Sequence, residues 1–199
     1  MSLIKEKTLV ILKPDAVQRN LIGEILKRFE NKGLKISAMK FVVGTEEQCF
    51  EHYNKDDEWF LRKGKGIVAD LEANNMPVDR EPIEYGKDII RNLAHYMTAG
   101  PMVAIVLEGL AAVEAVRKMV GETEPVASDV GTIRGDYGLD NYALATIDDR
   151  GVRNLIHCSE STDEANREIK IWFDESEIID YKTLNEKMLY DVNLDGIME

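Results

Sequence analysis

The chain has 199 residues, 44% of them hydrophobic and 31% charged, which fits a globular fold of one domain with additions and leaves ample residues for a core. Its 25 basic and 37 acidic residues leave a net charge of -12. That excludes a non-specific nucleic-acid surface, which needs clustered Lys and Arg, but it leaves room for a small anion where a few basic groups converge. Cys49 and Cys158 make neither a disulfide framework nor a paired-cysteine zinc site. The N-terminus is too short and too charged in its apolar part for a signal peptide, and no stretch is long enough to span a membrane, so the expected compartment is the cytosol.

In chain order, "KTLVILK" (7–13) is a short apolar run stopped by Pro14 and predicts a buried strand. In "NLIGEILKRFENKG" (20–33), Leu21, Ile22, Ile25, Leu26 and Phe29 recur at helical spacing and Gly33 supplies a stop. "LKISAMKFVVG" (34–44) alternates like a strand. Short helices are expected at 46–53, 57–63 and 67–73, a loop at 76–86 and an amphipathic helix at 87–100. "PMVAIVLEG" (101–109) predicts a buried strand and "LAAVEAVRKMVG" (110–121) a helix. Residues 122–153 read mostly as loop, "VRNLIH" (152–157) as a short strand and 161–173 as a helix, with Ser161 and Glu164 spaced as a capping box. The acidic segment 174–199 is expected to wrap over the surface. The order suggests an α+β, ferredoxin-like βαββαβ arrangement with a four-stranded antiparallel sheet.

Lys13 falls at a strand end, where ligand crevices commonly open. Arg117, Thr123 and Arg134 follow on later elements, but the glycine-rich phosphate loops are missing. His52 and His95 read as structural or exposed. His157 ends a short apolar strand beside hydroxyl residues, and four roles are open to it: core residue, metal ligand, base or nucleophile. Glu168 lies two helical turns after Ser161, where it can fold back toward the sheet. A carboxylate holding one imidazole nitrogen would fix the tautomer and leave the other nitrogen as a nucleophile. "DVNLDGIME" (191–199) resembles the first half of a calcium-binding loop through Asp191, Asn193, Asp195 and Gly196. The bidentate glutamate and the flanking helix are lacking, so calcium is not expected there.

Five segments together resemble the nucleoside diphosphate kinase family, in that family's order: "TLVILKPDAVQRNLIGEILKRFENKGLKISAMK" (8–40), "GPMVAIVLEG" (100–109), "VRKMVGETEP" (116–125), "GTIRGDY" (131–137) and "NLIHCSESTDEANREIKIWF" (154–173). The resemblance covers most of the chain. It implies a ferredoxin-like fold and transfer of a terminal phosphate from a nucleoside triphosphate to a nucleoside diphosphate through a phosphohistidine. By position it implies His157 as nucleophile, Glu168 as its orienting carboxylate and Ser159 as a hydroxyl beside the imidazole. Lys13, Arg117, Thr123 and Arg134 would contact phosphate, Asn154 the ribose, and Tyr53 would pack near the site. It also implies Mg2+ carried mainly on the nucleotide phosphates, with no protein metal site, and a homo-oligomer, hexameric before tetrameric.

The departures are local. The family's aromatic base clamp has no match in frame: Trp59 and Phe60 are the candidates, with Phe60 slightly preferred. Insertions are expected near 56–88 and 138–151. Cys158 follows the nucleophile where the family commonly has a small residue such as glycine. A catalytically silent, nucleotide-binding or scaffold member is the alternative reading, and the complete set of site residues speaks against it.

Overall fold

A computed structural model of the chain describes residues 5–189, 191 and 193–195. In chain order it contains β1 (Lys5–Leu12), α1 (Pro14–Gln18), α2 (Ile22–Asn31), β2 (Lys35–Val42), α3 (Glu46–His52), α4 (Asp57–Ala73) and α5 (Pro82–Thr98). These are followed by β3 (Met102–Leu110), α6 (Ala112–Val120), α7 (Ile133–Tyr137), α8 (Tyr142–Ile147), β4 (Ile156–Cys158), α9 (Thr162–Trp172) and α10 (Leu184–Leu189). The strands form one antiparallel sheet in the order β2-β3-β1-β4, the ferredoxin-like α+β arrangement. Among the described residues no helix is long and apolar enough to cross a membrane.

The central strands are apolar on both sides because both faces of the sheet are covered. Val10, Leu12, Val103, Ile105 and Leu107 pack with Ile25 and Phe29 of α2 and Val116 and Val120 of α6. The alternate residues Leu9, Ile11, Ala104 and Val106 pack with Cys49 of α3, Ala94 and Met97 of α5, and Ile169 and Trp172 of α9. Side chains of a strand alternate between faces, so a run buried throughout needs two layers of cover.

Several boundaries differ from the sequence reading. Pro14 does more than stop β1: it takes the first position of the short helix α1, where its missing N–H is no loss. The two pieces expected at 57–63 and 67–73 are one helix, α4, running through Gly64 and Gly66. Gly64 is there for a close approach, since a Cβ on it would sit 1.6 Å from the Pro82 carbonyl oxygen. On α5, a Cβ on Gly86 would sit 2.0 Å from that of Phe60. The two glycines let α4 and α5 pack backbone to backbone, a benefit that outweighs their poor helix propensity of about 1 kcal/mol each. α5 starts at Pro82, five residues before the predicted start at 87, again with proline in its first turn. The expected loop 122–153 carries α7 and α8, capped by the Thr132 and Asn141 side chains. Strand β4 is shorter than expected because Leu155 takes a left-handed φ of 67°. Only half of the capping box on α9 forms: Ser161 accepts from the Glu164 amide at 3.2 Å, while the Glu164 carboxylate turns to Arg167 at 2.8 Å.

The described part of the acidic segment crosses the start of β2, with the Ile179 amide donating to the Ser37 carbonyl at 2.8 Å. Beneath it, Glu108 accepts from Lys5 at 2.6 Å, Lys35 at 3.0 Å and Ser37 at 3.0 Å, and Glu186 of α10 pairs with Lys5 at 2.5 Å. Burial alone would raise the Glu108 carboxyl, but these donors hold it down to about 2. A carboxyl depressed in the fold stabilises it fully above its ordinary value of 4.5 and loses that contribution as pH falls through about 2. Urea midpoints at pH 6 and pH 3 are therefore expected to differ more for the native protein than for Glu108→Gln; equal differences would contradict the assignment. The calcium-like stretch is described only at Asp191 and Asn193–Asp195, where the Asp195 amide donates to Asp191 and Asn193 side-chain oxygens at 3.2 and 3.1 Å. Gly196 lies outside the described residues.

Candidate active site

Three segments converge at one end of the sheet. β1 leads into Lys13, β4 carries His157, and α9 runs back across the sheet with Glu168 on its buried face. His157 Nε2 lies 3.0 Å from Glu168 Oε2, and that oxygen also accepts from Ser159 Oγ at 2.6 Å. The arrangement turns His157 Nδ1 away from its carboxylate. Ser159, expected beside the imidazole, is fully buried and is bonded to the carboxylate. Its Oγ also accepts from the Leu9 amide at 3.2 Å, which ties the pair to β1. Burial lowers the His157 pKa well below its usual value, and the Lys13 and Arg134 charges lower it further, so the imidazole is neutral at physiological pH.

The left-handed Leu155 sets up the approach to β4. Such a φ costs a non-glycine residue roughly 1–2 kcal/mol, and bonds to Leu155 hold it in place. Its amide donates to Asp15 Oδ2 at 3.2 Å, and its carbonyl accepts from the Lys13 amide at 2.8 Å. The bend puts Asn154 against Lys13. Lys13 Nζ donates to Asn154 Oδ1 at 2.8 Å, and Asn154 Nδ2 donates to the Thr123 carbonyl at 2.9 Å. Burial and the neighbouring Arg134 bring the Lys13 pKa down to about 7, with Asp15 opposing.

Arg134 is 7% exposed and spends its guanidinium on the backbone. It donates to the carbonyls of Asn154 (3.2 Å), Gly121 (3.0 Å), Glu122 (3.0 Å) and Ile156 (2.6 Å). A guanidinium has five N–H groups, so among the described residues one remains to face a ligand. Arg117 donates to the Glu160 carbonyl at 3.0 Å.

Lys13, Tyr53, Arg117, Thr123, Arg134, Asn154, His157 and Glu168 line one cavity of about 1150 Å³. The Tyr53 ring stands edge-on to His157, centroids 6.1 Å apart, and burial keeps its hydroxyl protonated. Away from His157 the cavity opens between α4, α5 and α8, with Ile67, Ile89, Leu93 and Ile147 in its walls. Trp59 lines it and Phe60 does not, so the aromatic preferred from sequence is placed outside the cavity and its neighbour inside. Two further residues escaped the sequence reading. His52, taken as structural or exposed, is 1% exposed and packs edge-on against His157 with centroids 4.3 Å apart. Trp172 donates to His52 Nδ1 at 3.2 Å. The adjacency of His52 to Tyr53 was the one available signal. Cys158 carries a thiol that burial pushes above its usual pKa, which keeps it in the unreactive protonated form.

A neutral imidazole held by a carboxylate, facing a cavity walled by Lys13, Arg117 and Arg134, has the parts of a nucleophilic phosphotransfer site. The family profile described as nucleoside diphosphate kinase matches residues 6–63 and 83–178. A nucleoside diphosphate kinase of Pyrobaculum aerophilum is 47% identical over 180 residues, covering 88% of this chain and 98% of that one. The crystal structure of an NDP kinase from the same organism superposes with a TM-score of 0.83, at 45% identity, over 88% of this chain and all of that one. A transition-state mimic of nucleoside-diphosphate kinase from Borrelia burgdorferi, with bound vanadate and ADP, has a TM-score of 0.77 at 34% identity, over 93% and 96% of the two chains. The chain belongs to the nucleoside diphosphate kinase family.

Proposed function

We propose that the protein is an active nucleoside diphosphate kinase working through phospho-His157, as one domain with additions near 56–88 and 138–151. The observation that carries this reading is the His157–Glu168 contact of 3.0 Å inside the cationic cavity. His157 Nδ1 attacks the terminal phosphorus of a nucleoside triphosphate, the bond to the bridging oxygen breaks, and a nucleoside diphosphate leaves. A terminal phosphate oxygen of a second diphosphate then attacks the same phosphorus, and the N–P bond breaks. The Nε2 proton stays toward Glu168 throughout. Lys13, Arg117 and the remaining Arg134 N–H face charge that is spread over the transferring group in both directions.

The base lies at the end of the cavity between α4, α5 and α8, against Trp59, Ile89 and Ile147 rather than Phe60. Stacking and apolar contact with these three side chains would accept any base, which suits a broad range of nucleotides. Mg2+ fits the donor set: the carboxylates of Asp129 and Glu160 line the cavity and offer hard oxygens to a hydrated ion held chiefly by the nucleotide. When bound, the ion neutralises phosphate charge. The two cysteines are unpaired thiols, in keeping with a reducing, cytoplasmic setting. Self-association, proposed as a hexamer before a tetramer by resemblance to the family, has a candidate contact in edge strand β2, where Met39 and Phe41 are 52% and 63% exposed. Light scattering reads the assembly.

The test is transfer itself. With ATP and GDP the protein should make GTP in a ping-pong pattern, whereas a silent scaffold member would bind nucleotide and make none. The pH dependence follows from Lys13. In the free enzyme its charge is lost as pH rises through about 7, so kcat/KM should fall on that limb. Bound phosphate favours the charged lysine, so kcat should fall only at higher pH. Lys13→Arg should flatten the alkaline limb of kcat/KM; an unchanged limb would assign it to another group.

A further inference from the structure

Trp172 Nε1 can only donate, so the 3.2 Å bond to His52 Nδ1 makes that nitrogen an acceptor. Burial, and the adjacent His157, keep the His52 imidazole neutral. A neutral imidazole carries one N–H, which must then be on Nε2. Among the described residues this atom has no hydrogen-bond partner, and Glu168 Oε1 lies 3.8 Å from it. An approach on the order of 1 Å would close a normal hydrogen bond.

We propose that His52 is a positioning residue: Trp172 holds it as the Nε2–H tautomer, which supports the ionised Glu168 and so keeps His157 as the Nε2–H form with Nδ1 open for phosphate. The inference rests on the reading of His157 as the phosphate acceptor. Glu168 Oε2 already takes the Ser159 hydroxyl and faces His157, leaving Oε1 for His52. The other charged or titratable groups around His52, Glu168 and His157 are Arg167 and Glu164 on α9, Tyr53 and Lys55 after α3, Lys13 after β1, Cys158 on β4 and Arg134 on α7. Burial raises the Glu168 pKa. Without the His52 donor the carboxyl would take a proton at a higher pH. A protonated Glu168 would donate to His157 Nε2, and the imidazole would then carry its proton on Nδ1, the wrong nitrogen for attack.

The same tautomer weighs against a metal use of the cluster. His52, His157 and Glu168 offer ligand atoms within 4.8 Å of one another. A metal on His52 Nε2 would displace the proton that the Trp172 bond places there, whereas metal-bound imidazoles usually donate through the other nitrogen.

The test combines spectra and kinetics. Long-range 1H–15N spectra of the three histidines should show His52 and His157 both protonated on Nε2, and Trp172→Phe should let His52 mix tautomers. His52→Phe should move the acid limb of kcat/KM up by roughly one pH unit, and His52→Gln, which retains a side-chain N–H, should restore it. A native His52 protonated on Nδ1, or an unmoved limb in a His52→Phe protein with a native thermal transition, would overturn the proposal. So would tetrahedral Co2+ absorption that disappears in His52→Gln. If the native protein fails to transfer phosphate at all, the proposed function falls, and the tautomers of His52 and His157 still decide the relay.

Discussion

His157→Ala is expected to lower GTP formation from ATP and GDP by at least ~10⁴-fold, because no covalent intermediate can form. The thermal transition should move little, since His157 sits at the cavity wall with 16% of its side chain exposed. Nucleotide binding should survive for the same reason: Lys13, Arg117 and Arg134 are held by Asn154 and by backbone carbonyls, and none depends on the imidazole. A steady-state assay together with nucleotide titration separates the two effects. Retention of even one per cent of the activity would place the nucleophile elsewhere.

Arg134→Met should damage both fold and chemistry. Four carbonyls from two chain segments lose a buried charged donor. Such bonds contribute about 1.5–3 kcal/mol each but are not additive, so a loss of roughly 3–5 kcal/mol is expected, at the extreme of single substitutions. The loop at 121–122 and the entry to β4 should loosen together, displacing Thr123 and Asn154 from the cavity wall. Arg134→Lys is expected to rescue little. A lysine keeps the charge, but its single nitrogen cannot reach carbonyls that the guanidinium fork spans. Chemical denaturation and the assay measure both consequences. A Lys variant with native stability would show that the fork matters less than the charge.

The sheet was legible because β1 is apolar from Leu9 to Leu12 and β3 from Met102 to Leu107, runs that two covering layers require. The His157–Glu168 contact was foreshadowed by two helical turns between Ser161 and Glu168, and the resemblance then chose the nucleophile among four roles. What escaped depends on distant contacts. Helices were expected at 57–63 and 67–73 with a gap that holds Gly64, whose reason, the Pro82 carbonyl, lies on another helix. The left-handed turn at Leu155 has no residue signature, since leucine seldom adopts it. Arg134 was read as a phosphate contact, and nothing local revealed that four of its donors serve the backbone. Phe60 and Trp59 are adjacent on α4, so the direction of that helix, set by its packing on α5, decides which one faces the cavity. His52 became visible only once α3 and α9 were side by side.

The most direct measurement is the site of the phosphate in the isolated intermediate. Incubated with ATP labelled in the terminal phosphate, the protein should take up one acid-labile, alkali-stable label per chain. Peptide mapping and phosphorus–nitrogen NMR should place it on Nδ1 of His157, and GDP should remove it as GTP. Label on Nε2, on another residue, or on His157 in a form that GDP cannot discharge would contradict the account.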